Sequence, residues 1–137
     1  MSAVIRIVAG IVTDRAGRFA LVRKRGTVAF MQPGGKFEPG ETARQALVRE
    51  LREELGFELR EDELVPVGRF AAHAANEVGH TVDADVFEIV VEAEGVAAAE
   101  IEELRWVARD EIESLVLAPL TRDVLLPLLD ARATGSA

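Results

Sequence analysis

Residues 3–13 form a nearly continuous apolar run, Ala3-Val4-Ile5-Arg6-Ile7-Val8-Ala9-Gly10-Ile11-Val12-Thr13, interrupted only by Arg6. A short run rich in β-branched residues predicts a buried strand. Thr13-Asp14-Arg15-Ala16-Gly17 predicts a turn, with residues 18–24 as the hairpin partner. Residues 28–32 read as extended and lead into Pro33-Gly34-Gly35. Residues 64–75 and 80–92 predict a long hairpin turning at Asn76 and Glu77. In its second arm Val82, Ala84 and Val86 alternate with Asp83 and Asp85. A further strand is predicted over 101–107, a short helical turn capped by Asp110, and a C-terminal helix over 119–130. The tail 131–137 reads as frayed. Between the strands, residues 42–55 carry the helical period, with Glu41 or Thr42 as N-cap and Gly56 as terminator. Strands paired in hairpins rather than βαβ units predict an α/β fold with a mixed sheet and helices packed on it.

The helix over 42–55 has two distinct faces. At about 100° per residue, Glu53 and Glu54 fall within about 60° and 40° of Glu50, so three carboxylates share one arc. Leu47, Leu51 and Leu55 form the core stripe. Ala43 and Ala46 fall on the carboxylate arc, where small residues would leave room for a ligand. Arg49 and Arg52 lie to one side. Like charges at i,i+3 and i,i+4 repel, and anions in the last turns oppose the helix dipole. A hard cation held by several carboxylates would relieve both costs. Ahead of the helix, Pro33-Gly34-Gly35 and Pro39-Gly40 bracket a tight loop. It is not a P-loop, because no Gly-Lys-Ser/Thr ending follows.

Composition narrows the classes. The chain has 137 residues, 24 acidic against 16 basic, and a formal charge of −8. That size suits a single domain over 1–137. That charge disfavours nucleic-acid backbones and suits divalent cations. With no cysteine, disulfides, thiolate catalysis and zinc-thiolate sites are excluded. This composition fits a reducing cytosol, so a cytoplasmic location is expected. Arg6 and Asp14 argue against a leader in the apolar run, which is also short of the ~20 residues of a membrane helix. No membrane partner is expected.

Residues 35–57 read Gly-Lys-Phe-Glu-Pro-Gly-Glu-Thr-Ala-Arg-Gln-Ala-Leu-Val-Arg-Glu-Leu-Arg-Glu-Glu-Leu-Gly-Phe. This segment resembles the Nudix box: Gly, five residues, Glu, seven residues, Arg-Glu, an aliphatic residue, any residue, Glu-Glu, any residue, Gly and a hydrophobic residue. Gly35, Glu41, Arg49, Glu50, Glu53, Glu54 and Gly56 fill its fixed positions, and Leu51 and Phe57 its hydrophobic ones. Leu104-Arg105-Trp106-Val107 followed by Asp110-Glu111 is also similar to the family. The resemblance implies an α/β/α sandwich with the box as a loop–helix–loop. It implies Mg²⁺, with Mn²⁺ as a substitute, held by Glu50, Glu53 and Glu54. Arg49 would orient these glutamates, and Gly34, Gly35, Gly40 and Glu41 would shape the loop. Many members add a glutamate from a facing loop. Among Glu100, Glu102 and Glu103, Glu100 is the choice for a fourth ligand or base, because it ends a small-residue loop. Arg23, Lys24 and Arg25 are candidate substrate-side cations, with Arg23 and Arg25 carried forward as the substrate-binding pair. His73, His80, Trp106, Phe30 and Phe70 read more readily as structural than as substrate contacts.

The implied activity is hydrolysis of a phosphoanhydride in a nucleoside diphosphate linked to another group. The chain has no tyrosine, unlike dinucleoside polyphosphate hydrolases of the family. Its nearest proline beyond the box, Pro66, lies nine residues after Phe57, closer than in ADP-ribose hydrolases. The layout most resembles MutT-type enzymes that convert (d)NTPs, oxidised ones included, to NMP and pyrophosphate. An ADP-ribose or nucleotide-sugar pyrophosphatase is the alternative. A non-catalytic nucleotide-binding module is a third reading, which the intact box opposes. The resemblance is also compatible with a homodimer.

Overall fold

The computed structural model describes residues 3–75 and 78–135, and side chains through residue 132. The expected hairpin turn at Asn76 and Glu77 lies outside the described residues. β1 (Ala3–Thr13) pairs in parallel with β6 (His80–Val90) along its whole length, from Ala3↔His80 to Thr13↔Val90. β5 (Val65–His73) pairs antiparallel with β6. β2 (Phe19–Lys24), β3 (Phe30–Met31) and β7 (Ile101–Val107) form a second group, β2 in the centre. The two groups meet at one register pair, Thr13↔Phe19. Beyond it β1 and β2 diverge, and β4 (Gly34–Lys36) occupies the flank of β1 through Ile7↔Lys36, Val8↔Gly35 and Ala9↔Gly34. The Pro-Gly-Gly segment read as a loop from sequence is therefore partly strand. The reason is steric: a Cβ at Gly34, whose φ is +153°, would overlap the Val8 carbonyl. Glycine lets the two backbones meet.

α1 (Ala43–Leu55) lies across one face of the sheet. Thr42 is its N-cap, in a reciprocal box with Gln45, and Gly56 closes it at φ 74°. Leu47, Leu51 and Leu55 pack with Val8, Val12, Phe87 and Ile89. The opposite face is covered by a wide-turned π-helical segment, Leu120–Leu125, continuing as α2 (Leu126–Gly135). Pro127 has no N–H to give the preceding turn, and the Leu126 N–H reaches back five residues to Thr121. Residues 131–135, read as frayed, are helical here. The turn expected to be capped by Asp110 is a 3-10 helix over Arg109–Ser114, and the N-cap position is Ala108. Among the described residues no helix is long and apolar enough to cross a membrane. The layering is α/β/α, as expected. Thr42→Ala removes the N-cap oxygen and should cost about 1 kcal/mol in denaturant unfolding. An unchanged unfolding midpoint would refute that role for Thr42.

Candidate active site

The carboxylates of α1 fall into separate environments. Glu54 is 2% exposed. Its Oε1 accepts from the Gly34 N–H at 3.2 Å, and its Oε2 is a buried oxygen with no partner. Burial pushes its pKa up to about 8, helped by the charge of Glu50 and opposed by the Gly34 hydrogen bond. Glu50 is largely buried and its carboxyl is also raised, by burial, against the pull of Arg49. Glu53 is half exposed and bound to Arg49. Among the described residues no three Asp, Glu or His groups already converge as an ion-binding cluster. The three-carboxylate arc read from sequence is split, with Glu50 and Glu53 turned to Arg49 and Glu54 turned to the β4 backbone.

Arg49 spans the group. Its Nε and Nη2 grip the two oxygens of Glu41 at 2.7 and 2.9 Å, and Nη2 also donates to the Lys36 carbonyl at 3.0 Å. Its Nη1 donates to Glu50 at 2.8 Å and to Glu53 at 3.3 Å. The pairing drives the Glu41 carboxyl down to about 2 and raises the guanidinium further. A helical wheel places Arg49 to one side, but its long side chain reaches back over the arc. Glu41 also accepts from the Glu38 N–H at 2.8 Å, and Gly40 turns the chain at φ 81° just before it. Gly35 is required by close approach, since a Cβ there would sit 2.6 Å from the Glu50 carboxyl carbon. Ala46, read as making room for a ligand, is instead fully buried in the core, and Ala43 packs against it.

Glu50 and Gly34–Lys36 form one wall of a cleft of about 410 Å³. Its apolar lining comes from Ile5, Ile7, Val82 and Leu120, and Glu100 and Lys24 line it too. Lys24 Nζ lies 3.5 Å from Glu100, and the Glu100 charge bears on Glu50 and Glu54. Arg23 and Arg25, the expected substrate cations, do not line this cleft. Arg23 bonds the Thr27 carbonyl and Glu103, and Arg25 bonds Glu102. Arg23 precedes Lys24 in β2 and points to the other face, over the Phe30 ring, while Arg25 lies past the end of the strand. Glu103 is held by Arg105 and Arg23, which lower its carboxyl, and Glu100 alone of the three candidates lines the cleft with Glu50. Gln32 also lines the cleft and is tied to the Thr121 hydroxyl; neither residue is marked by the sequence reading. Phe30 is in the core and Phe70 is half-buried against it, and Trp106 stands edge-on to Phe57 at 6.5 Å, its indole N–H on the Glu94 carbonyl. His73 borders the cleft, while the His80 ring contacts the Val78 carbonyl.

The NUDIX domain family model matches residues 4–129. Over 134 residues the chain is 35% identical to a CTP pyrophosphohydrolase of Escherichia coli (strain K12), covering 93% of this chain and 90% of that protein. An 8-oxo-dGTP diphosphatase of Haemophilus influenzae is 42% identical over 57 residues, 39% of this chain and 42% of that one. The solved MutT protein from Methanosarcina mazei Go1 matches with a TM-score of 0.75 at 23% identity, over 96% of both chains. The E. coli ORF135 protein matches with a TM-score of 0.66 at 30% identity, over 99% of this chain and 93% of that one. The chain belongs to the NUDIX family and is a MutT-like Nudix hydrolase, an enzyme of pyrophosphate bonds.

Glu54 sets a pH dependence in metal-free protein. Its folded pKa of about 8 stands above the ordinary glutamate value of 4.5, so between these values the folded state holds a proton that the unfolded state has released. Stability from this group is complete below the lower value and is lost as pH rises through the upper one, with a slope of about 1.4 kcal/mol per pH unit. In EDTA, wild-type stability should therefore fall from pH 5 to 8 more steeply than that of Glu54→Gln. Parallel pH profiles in chemical denaturation would refute the assignment.

Proposed function

We propose that this enzyme hydrolyses nucleoside triphosphates to a nucleoside monophosphate and pyrophosphate with Mg²⁺. The observation that carries this reading is the buried Glu54 carboxyl, one oxygen unpartnered, one helical turn along α1 from Glu50, which lines a nucleotide-sized cleft. A buried carboxyl oxygen without a partner is costly, most of all once ionised, and a hard cation is a partner that stabilises the ionised form and fits an all-carboxylate donor set. Gly35 leaves the Glu50 carboxylate space that any side chain would fill. Glu50, Glu53, Glu54 and Glu100 would hold Mg²⁺, with Mn²⁺ as a substitute. Bound there, the ion neutralises phosphate charge and lowers the pKa of water.

The chain's own residues supply the rest. Arg49, anchored by Glu41, orients Glu50 and must release Glu53 for it to turn inward. Lys24 faces the phosphates, a role the placement of Arg23 and Arg25 does not favour. Glu50 or Glu100 accepts the proton of the attacking water. That water bonds to phosphorus, the anhydride bond breaks, and the leaving phosphate oxygen takes the electron pair. The name of the relative covering 93% of the chain supports CTP as the first substrate to test, and that of the shorter match supports oxidised dGTP. A homodimer is carried as a proposal from the resemblance, and a cytoplasmic location from the cysteine-free composition.

A panel of NTPs, 8-oxo-dGTP and ADP-ribose, assayed with Mg²⁺ for pyrophosphate and phosphate, tests the reading. Pyrophosphate from a triphosphate is expected, abolished by EDTA and restored by Mg²⁺ or Mn²⁺; full activity in EDTA would overturn it. Glu54→Gln should keep the fold and lower turnover at least roughly 100-fold, as expected when a ligand of a catalytic ion is lost. A folded Glu54→Gln enzyme with wild-type turnover removes Glu54 from the site.

A further inference from the structure

Ala99 has a positive φ of 54°, alone among the described non-glycine residues. Residues with a Cβ rarely enter this left-handed region; Gly does so freely and Asn more often than most. Such a conformation persists where the surroundings over-determine it. On the N-terminal side, the Val96 N–H donates to the Leu55 carbonyl at 3.0 Å and the Ala98 N–H to the Glu54 carbonyl at 2.9 Å. The loop thus satisfies carbonyls that the end of α1 leaves free. On the C-terminal side, the Glu100 carbonyl accepts from the Arg25 N–H at 2.8 Å, and the Ile101 N–H closes the turn on the Ala98 carbonyl at 3.0 Å. One flank of Ala99 is fixed to the box helix and the other to the end of β2. The left-handed residue joins them and is followed directly by Glu100, whose side chain lines the same cleft as Glu50 and lies 3.5 Å from Lys24.

We propose that Ala99 is a positioning residue, whose left-handed backbone aims the Glu100 carboxylate at the box glutamates and which acts on metal binding through Glu100. This rests on the reading of Glu100 as a carboxylate of the ion site. β-Branched side chains resist the left-handed region most, so Ala99→Val forces the turn to rearrange, whereas Ala99→Asn keeps it.

Four variants decide the matter: Ala99→Val, Ala99→Asn, Glu100→Gln and the Ala99→Val/Glu100→Gln double. Mn²⁺ binding to substrate-free protein is read by electron paramagnetic resonance, beside the Mg²⁺ concentration for half-activation and the melting temperature. Ala99→Val and Glu100→Gln should each weaken Mn²⁺ binding roughly 10-fold, as loss of a supporting group does, and the double variant should be no worse than Glu100→Gln. Ala99→Asn should bind Mn²⁺ as the wild type does. If valine prevents folding, Ala99→Leu, which lacks the branched β-carbon, enters the same comparison. Additive losses in the double variant, or an Asn variant as impaired as the Val variant, overturn the proposal. Wild-type Mn²⁺ binding by folded Ala99→Val, with Glu100→Gln impaired, overturns it while leaving Glu100 in place. Unchanged binding and activation in Glu100→Gln instead removes Glu100 from the ion site, and the proposal with it.

Discussion

A carboxyl group on the inward side of a helix has to be reconciled with the apolar layer it enters, and Glu54 imposes that constraint on everything around it. It belongs to the same helix as Leu47, Leu51 and Leu55 and is almost as buried as they are. Isolated, such a group costs several kcal/mol if it ionises. The fold provides one backbone N–H, from Gly34, and leaves the second oxygen open. That N–H is available because Gly34 lies flat against β1, which no residue with a side chain could do. The β4 strand, the Gly-Gly pair and the diverging β1 and β2 are therefore parts of one arrangement that brings backbone to a buried acid.

Arg49 performs the complementary task on the exposed side. Its donors go to Glu41, Glu50, Glu53 and the Lys36 carbonyl, so one guanidinium offsets the mutual repulsion of the box carboxylates and ties the preceding loop to the helix. Lysine has a compact ammonium rather than a planar fork and could not serve all four partners in this geometry. The arrangement explains how a helix tolerates several acids in its last turns, where its dipole opposes them.

Much of this was legible in the sequence, for physical reasons. The box helix, its Leu stripe, the parity of Val82, Ala84 and Val86 and the terminator Gly56 follow from period and capping chemistry, which are local. The resemblance points to an acid in a facing loop, and Glu100 is the choice among three because it ends a loop rather than lies in a strand; it lines the same cleft as Glu50. Other features depend on contacts distant in sequence. Gly34-Gly35 reads as a turn until β1 is known to lie against it. Ala46 reads as a gap for ligand until the sheet is seen to fill it. Lys24, rather than its neighbours, lines the cleft because Arg23 has the other strand parity and Arg25 falls past the end of β2, which a run of three basic residues conceals. The left-handed Ala99 has no signal in its own residue type, since Ala is not a residue that marks such a position.

The close approach between Gly35 and the Glu50 carboxylate has a mechanical side. Between most strands and a site there are side chains, whose rotations absorb small displacements. Here the absence of a side chain at Gly35 leaves the β4 backbone and the carboxylate with nothing between them, and β4 is paired to β1 through Ile7, Val8 and Ala9. Part of the cleft's apolar lining is made by the same strand, through Ile5 and Ile7. Whatever rests on that lining and whatever the carboxylate holds are thus mounted on a single stiff rail, with no slack between them.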